Sequence, residues 1–192
     1  MTRRPDLVDV WPFRVVDGAV EVLLLRRVPG RVLPGLWQGV SGLVEEGESI
    51  PEAALREVRE ETGFSDPVIE AFYHLDYVAE FYWEPSDELM TSAYFALRIA
   101  PAIDPDLSHE HDAFQWLPIE DALAIAVWPG YREGLSRVRD VLLDPARASW
   151  FELDRERRRS ARPRGSRQGA PPRGRKGRSA PRSGRRCRRC RR

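Results

Sequence analysis

The sequence predicts an α/β domain in which helices cover the faces of a mixed β-sheet. The pair Asp17-Gly18 separates two apolar, β-branched runs, which is typical of a β-hairpin. Residues 50–62 carry helix signals at both ends. Further strand-like runs follow without strict strand–helix alternation, so we expect a mixed sheet.

The hairpin is followed by a loop and a third strand. Its two strands are predicted at 8–16 and 19–28. The segment 28–37 contains two Pro-Gly pairs and is predicted to be a loop. Residues 38–44 are predicted to form a short strand.

The helix at 50–62 is the best-defined element. It begins with a capping box, Ser49-Ile50-Pro51-Glu52, which includes a proline in the first turn. Gly63 is a typical residue just beyond a helix C-terminus. Beyond it, apolar patterns predict strands at 68–83, 90–99 and 113–117 and helices at 119–126 and 131–143. The fold is expected to end near Trp150 and Phe151.

Charge divides the chain into two parts. The net charge over 192 residues is +1, but residues 155–192 hold 17 Arg and one Lys against one Glu, a net of +17. Residues 1–154 therefore carry −16. We predict a single domain over 1–154 and a disordered Arg-rich tail over 155–192, because the tail has almost no apolar surface to bury.

Three interpretations of the tail remain open. It binds nucleic acid or another polyanion through phosphate contacts, it docks on the acidic domain of its own chain, or it reflects codon bias without a selected role. Cys187 and Cys190 have the spacing of a zinc-binding pair, but a structural zinc site needs four ligands and the sequence has no second pair.

Composition argues against several classes of protein. No apolar run approaches the ~20 residues of a membrane-spanning helix. The first residues do not resemble a secretory signal, and the two cysteines form no disulfide framework. We therefore expect a cytoplasmic protein without a membrane partner.

Three carboxylates share one face of the predicted helix. Glu57, Glu60 and Glu61 fall within an arc of about 100°. Like charges so close destabilise a helix, and a hard divalent cation such as Mg²⁺ removes that penalty. Ala53 and Ala54 lie one turn earlier on the same arc and are expected to leave room for a ligand. The alternative is that this acidic face is simply solvated.

The wider segment resembles the Nudix box, G-x5-E-x7-R-E-U-x-E-E-x-G-U, where U is a bulky apolar residue. The matching residues are Gly42, Glu48, Arg56, Glu57, Val58, Glu60, Glu61, Gly63 and Phe64. The resemblance spans roughly residues 5–150 and implies a Nudix hydrolase, with an α/β/α sandwich fold around a mixed sheet. It implies a Mg²⁺ cofactor, with Mn²⁺ as the expected substitute.

The resemblance also implies roles for these residues. In the family, the residues that match Glu57, Glu60 and Glu61 hold the metal. The glycine that matches Gly42 can add its carbonyl group as a ligand. Glu48 and Arg56 pair to support the loop. Because a core of charge −16 repels a triphosphate unless metal screens it, we expect absolute metal dependence.

Two other segments, Leu36 to Gly42 and Glu110 to Leu117, are similar to the bacterial dATP pyrophosphohydrolases. That group includes the dihydroneopterin triphosphate diphosphatases. The similarity implies that Glu110 is a further metal ligand or orients the attacking water, so that Glu60 and Glu110 are the expected catalytic residues. It implies substrate contacts by the following residues: Arg26, Ser41, Phe81 and Tyr82.

Structural interpretations compete with these roles. In the alternative interpretation, Glu110 is an ordinary solvated loop residue and Phe81 is an aromatic residue of the core. His109 and His111 are interpreted as loop-packing residues, since a hard-cation site needs neither. Of Arg26 and Arg27, one is expected to be a solvated edge charge and the other a phosphate contact.

The resulting expectation is a hydrolase that releases pyrophosphate from dATP, another (d)NTP or a pterin triphosphate. A dinucleoside polyphosphate or RNA 5′-end hydrolase is the alternative. In the case of RNA, the basic tail would contribute to substrate binding. A non-catalytic nucleotide- or RNA-binding module is disfavoured, because it would have no reason to keep the clustered carboxylates.

Overall fold

The computed structural model describes residues 4–154 of the chain. The predicted disorder of the tail and the Cys187–Cys190 pair lie outside these residues. Within them, no helix is both long and apolar enough to span a lipid bilayer.

Strands and helices in this part of the chain form one mixed sheet with helices on both faces. The strands are β1 (Leu7–Val16), β2 (Ala19–Arg27), β3 (Trp37–Gln38), β4 (Val40–Leu43), β5 (Ile69–Trp83), β6 (Glu88–Ile99) and β7 (His111–Pro118). The helices are α1 (Ile50–Thr62), α2 (Ile119–Ile125), α3 (Pro129–Arg137) and α4 (Pro145–Ala148), with a 3₁₀ turn at Glu84–Ser86 and a π-helical segment at Val138–Leu142.

Strand β1 is the centre of the sheet. Its second half pairs antiparallel with β2 and its first half pairs antiparallel with β4, while its other edge runs parallel to β6. The sheet continues to β5 beyond β6 and to β3 and β7 beside β2. The prediction of a mixed sheet is confirmed.

Each face of the sheet has its own apolar core. Val8 and Val10 of β1 pack on one face with α1, while Trp11 and Phe13 pack on the other with α3 and the π-helical segment. This alternation follows from the period of two in a strand. The result is the α/β/α sandwich that the resemblance to the Nudix box implies.

The bounds of α1 agree with the prediction. At its start, the Ser49 backbone N–H and hydroxyl donate to the Glu52 carboxylate, at 3.0 and 2.7 Å. At its end, Gly63 adopts φ +70° and donates its N–H to Arg59 O at 3.0 Å. A left-handed residue at this position costs least when it is glycine.

The role expected for two alanines was wrong. Ala53 and Ala54 are fully buried in the core beneath α1 and do not border a ligand space. The helix predicted at 131–143 is present, but it begins at Pro129 and its hydrogen-bond pattern becomes π-helical after Arg137.

The end of the described chain adds to the sheet. Phe151 O accepts from His74 N at 3.0 Å, and Leu153 N donates to Phe72 O at 2.7 Å. The fold thus continues slightly past the predicted end, since these residues pair with the outer strand β5.

Helix α3 approaches the sheet closely because residue 134 has no side chain. A β-carbon at Gly134 would lie 2.7 Å from Tyr94 Cδ1 and would overlap the Trp11 indole nitrogen. We expect Gly134→Ala to lower the melting temperature by several degrees, although alanine favours helices by about 1 kcal/mol. Gly30→Ala is the matched control, because a β-carbon there meets no atom within 4 Å. Equal melting temperatures for the two variants would contradict the described packing.

Candidate active site

The site begins where α1 meets β4. Gly42 lies directly against the Glu57 side chain, and a β-carbon at Gly42 would overlap the Glu57 carboxylate. The buried alanines of α1 allow this approach, because small side chains keep the helix close to the sheet. Gly42 therefore brings backbone into contact with an acidic side chain.

Arg56 connects α1 to the loop that precedes it. Its Nε and Nη2 donate to the two carboxylate oxygens of Glu48, both at 3.0 Å, and Nη2 also donates to Leu43 O at 2.8 Å. Its Nη1 donates to Glu57 at 2.7 Å. Such a planar donor set matches carboxylate geometry, so Arg56 fixes both the loop and Glu57.

The three carboxylates of the helix have different surroundings. Glu61 is only 5% exposed, whereas the Glu60 side chain is 56% exposed and lies 3.2 Å from Arg56. The Glu57 side chain is mostly buried beside Gly42 and Arg56. Glu57 and Glu61 therefore face inward and Glu60 faces outward.

Burial dominates the electrostatics of Glu61. Desolvation, reinforced by repulsion from Glu57 and Glu110, raises the pKa of its carboxyl to about 9, while Arg27 acts in the opposite direction. Its Oε2 atom is buried and has no hydrogen-bond partner among the residues described. Burial also raises the pKa of Glu57, against the effect of Arg56.

Glu110 reaches this group from a distant part of the chain. Ser108 N donates to Glu61 O at 3.2 Å and Asp106 N donates to Thr62 O at 2.9 Å, which ties the segment before β7 to the end of α1. Glu110 follows directly and interacts electrostatically with both Glu57 and Glu61. Its carboxylate lies 2.7 Å from Arg31.

The donor set fits a hard divalent cation. Such an ion would neutralise the buried carboxylates, which repel one another. It would also coordinate the Glu61 oxygen that has no hydrogen-bond partner among the described residues and the glycine backbone packed against Glu57. Between residues 4 and 154, however, no three acidic, His or Cys side chains already converge as a ligand set. Arg56 holds Glu57 and Arg31 holds Glu110, and each guanidinium uses oxygens that a cation would need.

Sequence reasoning missed the position of His111. This side chain is buried, and its Nε2 lies 3.9 Å from Glu61 Oε2, too far for a hydrogen bond. Burial, with a smaller contribution from Arg27, lowers its pKa to about 4, so the ring is neutral at pH 7. Pairing with Arg27 in the sheet brings it here, and nothing local in the sequence signals that pairing.

The two arginines at the end of β2 point to different places. Arg26 donates to Asp112 at 2.7 Å and lies over the Trp37 ring, 5.7 Å from its centroid. Arg27 instead acts on Glu61 and His111. Of the two, Arg27 is therefore the one whose charge acts on the Glu61 carboxylate.

The remaining substrate candidates lie at different distances from the carboxylates. Ser41 is adjacent to Gly42, and its backbone amide favours the charged form of Glu61. Phe81 and Tyr82 lie near the tip of the β5–β6 hairpin, three strands away from β4. Tyr82 is 58% exposed and its hydroxyl donates to Asp87 at 2.9 Å. The structure does not bring these two aromatics to the carboxylates.

Comparisons with known proteins agree with this architecture. The family model described as NUDIX domain matches residues 5–138. The dihydroneopterin triphosphate diphosphatase of Escherichia coli K12 is 35% identical over 114 residues, which cover 54% of this chain and 73% of that protein. The asymmetrical bis(5′-nucleosyl)-tetraphosphatase of Caenorhabditis elegans is 30% identical over 114 residues, or 59% and 79% of the two chains.

A third relative is much longer. An octanoyltransferase of Myxococcus xanthus is 37% identical over 134 residues, which cover 66% of this chain and 36% of that protein. The chain therefore spans about a third of this relative.

Solved structures show the same fold. A C. elegans Ap4A hydrolase complex matches with a TM-score of 0.61 at 26% identity, covering 72% of this chain and 98% of the other. The E. coli dihydroneopterin triphosphate pyrophosphohydrolase matches with a TM-score of 0.60 at 27% identity, covering 74% and 98%.

The raised pKa of Glu61 predicts how pH affects the metal-free protein. Between the unfolded pKa near 4.5 and the folded pKa of about 9, the folded state binds one more proton, so stability falls as pH rises through this window. Because glutamine does not ionise, we expect Glu61→Gln to abolish this loss of stability with pH. The melting temperature at pH 8 should rise by roughly 2–4 °C for each kcal/mol gained in the free energy of unfolding. The difference should shrink at pH 5.

Thermal melts with and without Mg²⁺ or Mn²⁺ test this prediction. The metal should stabilise the wild type and leave Glu61→Gln unchanged. Glu133→Gln, which alters an exposed carboxylate paired with Arg137, is the control and should behave as wild type. A lower melting temperature for Glu61→Gln at pH 8 would contradict the prediction.

Proposed function

The chain belongs to the Nudix hydrolase family, and from that premise we propose that it is a Mg²⁺-dependent pyrophosphohydrolase acting on a nucleoside or related triphosphate. The products are the monophosphate and pyrophosphate. The observation that carries the proposal is the burial of the Glu61 carboxylate at the end of α1, where it is repelled by the carboxylates of Glu57 and Glu110. Glu61 keeps an unpartnered oxygen there among the described residues.

We assign the metal site to the residues of this cluster. Glu57 and Glu61 hold the ion, Glu60 binds it directly or through water, and Glu110 and the Gly42 carbonyl complete the set. When bound, a hard divalent ion neutralises phosphate oxygens and makes a bound water more acidic. Mn²⁺ is expected to substitute for Mg²⁺, since both prefer oxygen ligands.

Other side chains position the reactants. Glu48 supports Arg56, and Arg56 fixes the Glu57 carboxylate. As the alternative to completing the metal set, Glu110 orients the attacking water, and Glu60 and Glu110 are the residues assigned to catalysis. Arg27, whose positive charge acts on Glu61, is assigned to a phosphate oxygen. In this arrangement catalysis depends on positioning and charge neutralisation rather than on a covalent intermediate.

The favoured substrates are dATP, another (d)NTP or dihydroneopterin triphosphate. The E. coli diphosphatase, 35% identical, supports this class. We assign Ser41 and Arg26 to the part of the substrate near the phosphates and Phe81 and Tyr82 to its far end. Aromatic rings at an exposed hairpin offer a surface on which a base or pterin can stack.

A dinucleoside polyphosphate is the second candidate substrate. Asymmetrical bis(5′-nucleosyl)-tetraphosphatases of C. elegans and pig are 30% and 35% identical to this chain. An RNA 5′ end remains an alternative that would use the basic tail, which lies outside the described residues.

A substrate panel separates these candidates. The full-length protein is incubated with Mg²⁺ and the four dNTPs, the NTPs, dihydroneopterin triphosphate, Ap4A or ADP-ribose, and pyrophosphate, phosphate and nucleotide products are measured separately. We expect pyrophosphate release, fastest with dATP or the pterin. ATP plus AMP from Ap4A alone would shift the assignment to the second candidate.

Removing single carboxylates tests the site itself. Glu61→Gln should abolish Mg²⁺-dependent turnover in a folded protein, and Glu110→Gln should lower kcat by roughly 10²–10⁴-fold, as for loss of a general base. Glu133→Gln should retain wild-type rates, because its carboxylate lies on α3 beside Arg137. Wild-type kcat in either site variant would refute the assignment of that residue.

A further inference from the structure

The loop between β2 and β3 contacts the segment that carries Glu110. Arg31 Nη2 lies 2.7 Å from Glu110 Oε1 and 2.9 Å from His109 Nε2. Because a guanidinium only donates, His109 accepts through Nε2 in this contact. Val28 N adds a bond to Glu110 O at 3.0 Å. The loop therefore binds both the side chain and the backbone of Glu110.

The shape of the loop fixes where Arg31 reaches. At its neck, Arg27 N donates to Leu36 O at 3.1 Å and Gly35 N donates to Arg27 O at 3.0 Å. Inside it, Arg27 Nε donates to Val32 O at 2.7 Å. The closed loop thus holds the Arg27 side chain against its own backbone and carries Arg31, in its outer part, to the Glu110 carboxylate.

We infer that Arg31 exchanges partners during binding: it neutralises Glu110 in the free enzyme and moves to a substrate phosphate when Glu110 takes up a divalent cation. This inference rests on the proposed function, which makes Glu110 a metal ligand. The Arg31–Glu110 pair is 40% and 33% exposed, and ion pairs at such positions are weak enough to break readily.

Charge makes the exchange favourable. A divalent ion on Glu110 repels the guanidinium beside it, while the arriving triphosphate offers several anionic oxygens. Arginine binds phosphate with two parallel hydrogen bonds, which are stronger than those between neutral groups. Arg31 is therefore a specificity-determining residue for polyphosphate, and it opposes metal binding until substrate arrives.

The two roles give effects of opposite sign in one variant. Arg31→Gln should raise the affinity of the substrate-free enzyme for Mn²⁺, roughly two- to five-fold, because a competing cation is removed. The same variant should bind a triphosphate roughly tenfold or more weakly, because a charge-assisted contact is lost. If Arg31 only held the loop in place, the substitution would weaken both.

Calorimetric titrations of the full-length protein test this. The probes are Mn²⁺ alone, and α,β-methylene-dATP at saturating Mn²⁺. Arg31→Lys keeps the charge and should restore most of the analogue affinity. Arg139→Gln is the matched control, since Arg139 forms a similar pair with Asp140, 2.6 Å long and 35% exposed on the arginine side, away from the carboxylates. It should leave both affinities unchanged.

Unchanged or weaker Mn²⁺ binding by Arg31→Gln would overturn the first half of the inference, and unchanged analogue binding would overturn the second. Failure of the proposed function is a different result. It would appear if Arg31→Gln differed from the wild type in both affinities as predicted and the wild type nevertheless turned over no substrate of the panel.

Discussion

The close packing of α1 against β1 and β4 is the constraint on which the rest of the site depends. Ala53 and Ala54 let the helix reach the sheet, and Gly42 lets the Glu57 carboxylate lie on the backbone of β4. A larger side chain at any of these positions would move the helix away. The inward carboxylates are thus buried as a consequence of backbone packing.

That burial carries an electrostatic cost, because carboxylates placed near one another in a poorly solvated region repel and resist ionisation. The chain offsets it with arginines. Arg56 holds Glu48 and Glu57 on one side, and Arg27 and Arg31 approach Glu61 and Glu110 from the other. The negative charge of Glu61 is the least compensated of these carboxylates. Its raised pKa marks the position where a metal ion would stabilise the ionised form most.

The arginines of this arrangement differ in burial and in the number of their partners. Arg56 is mostly buried and makes several hydrogen bonds, so its removal would disorganise the loop before α1. Arg31 is partly exposed and makes contacts that a phosphate can replace. Burial and the number of partners, rather than residue type, distinguish a support from a ligand-exchanging group.

Local pattern determined much of this protein in advance: the hairpin at Asp17-Gly18, the bounds of α1 and the mixed sheet follow from turn residues, capping and periodicity. The spacing of the box identified its carboxylates, because one helix fixes their mutual placement. Only the tertiary structure decided which of them are buried, that the charge of Arg27 rather than Arg26 acts on Glu61, and that His111 lies near Glu61 and Arg31 near Glu110. Those contacts join segments far apart in the chain through strand pairing and loop closure, which short-range patterns do not encode.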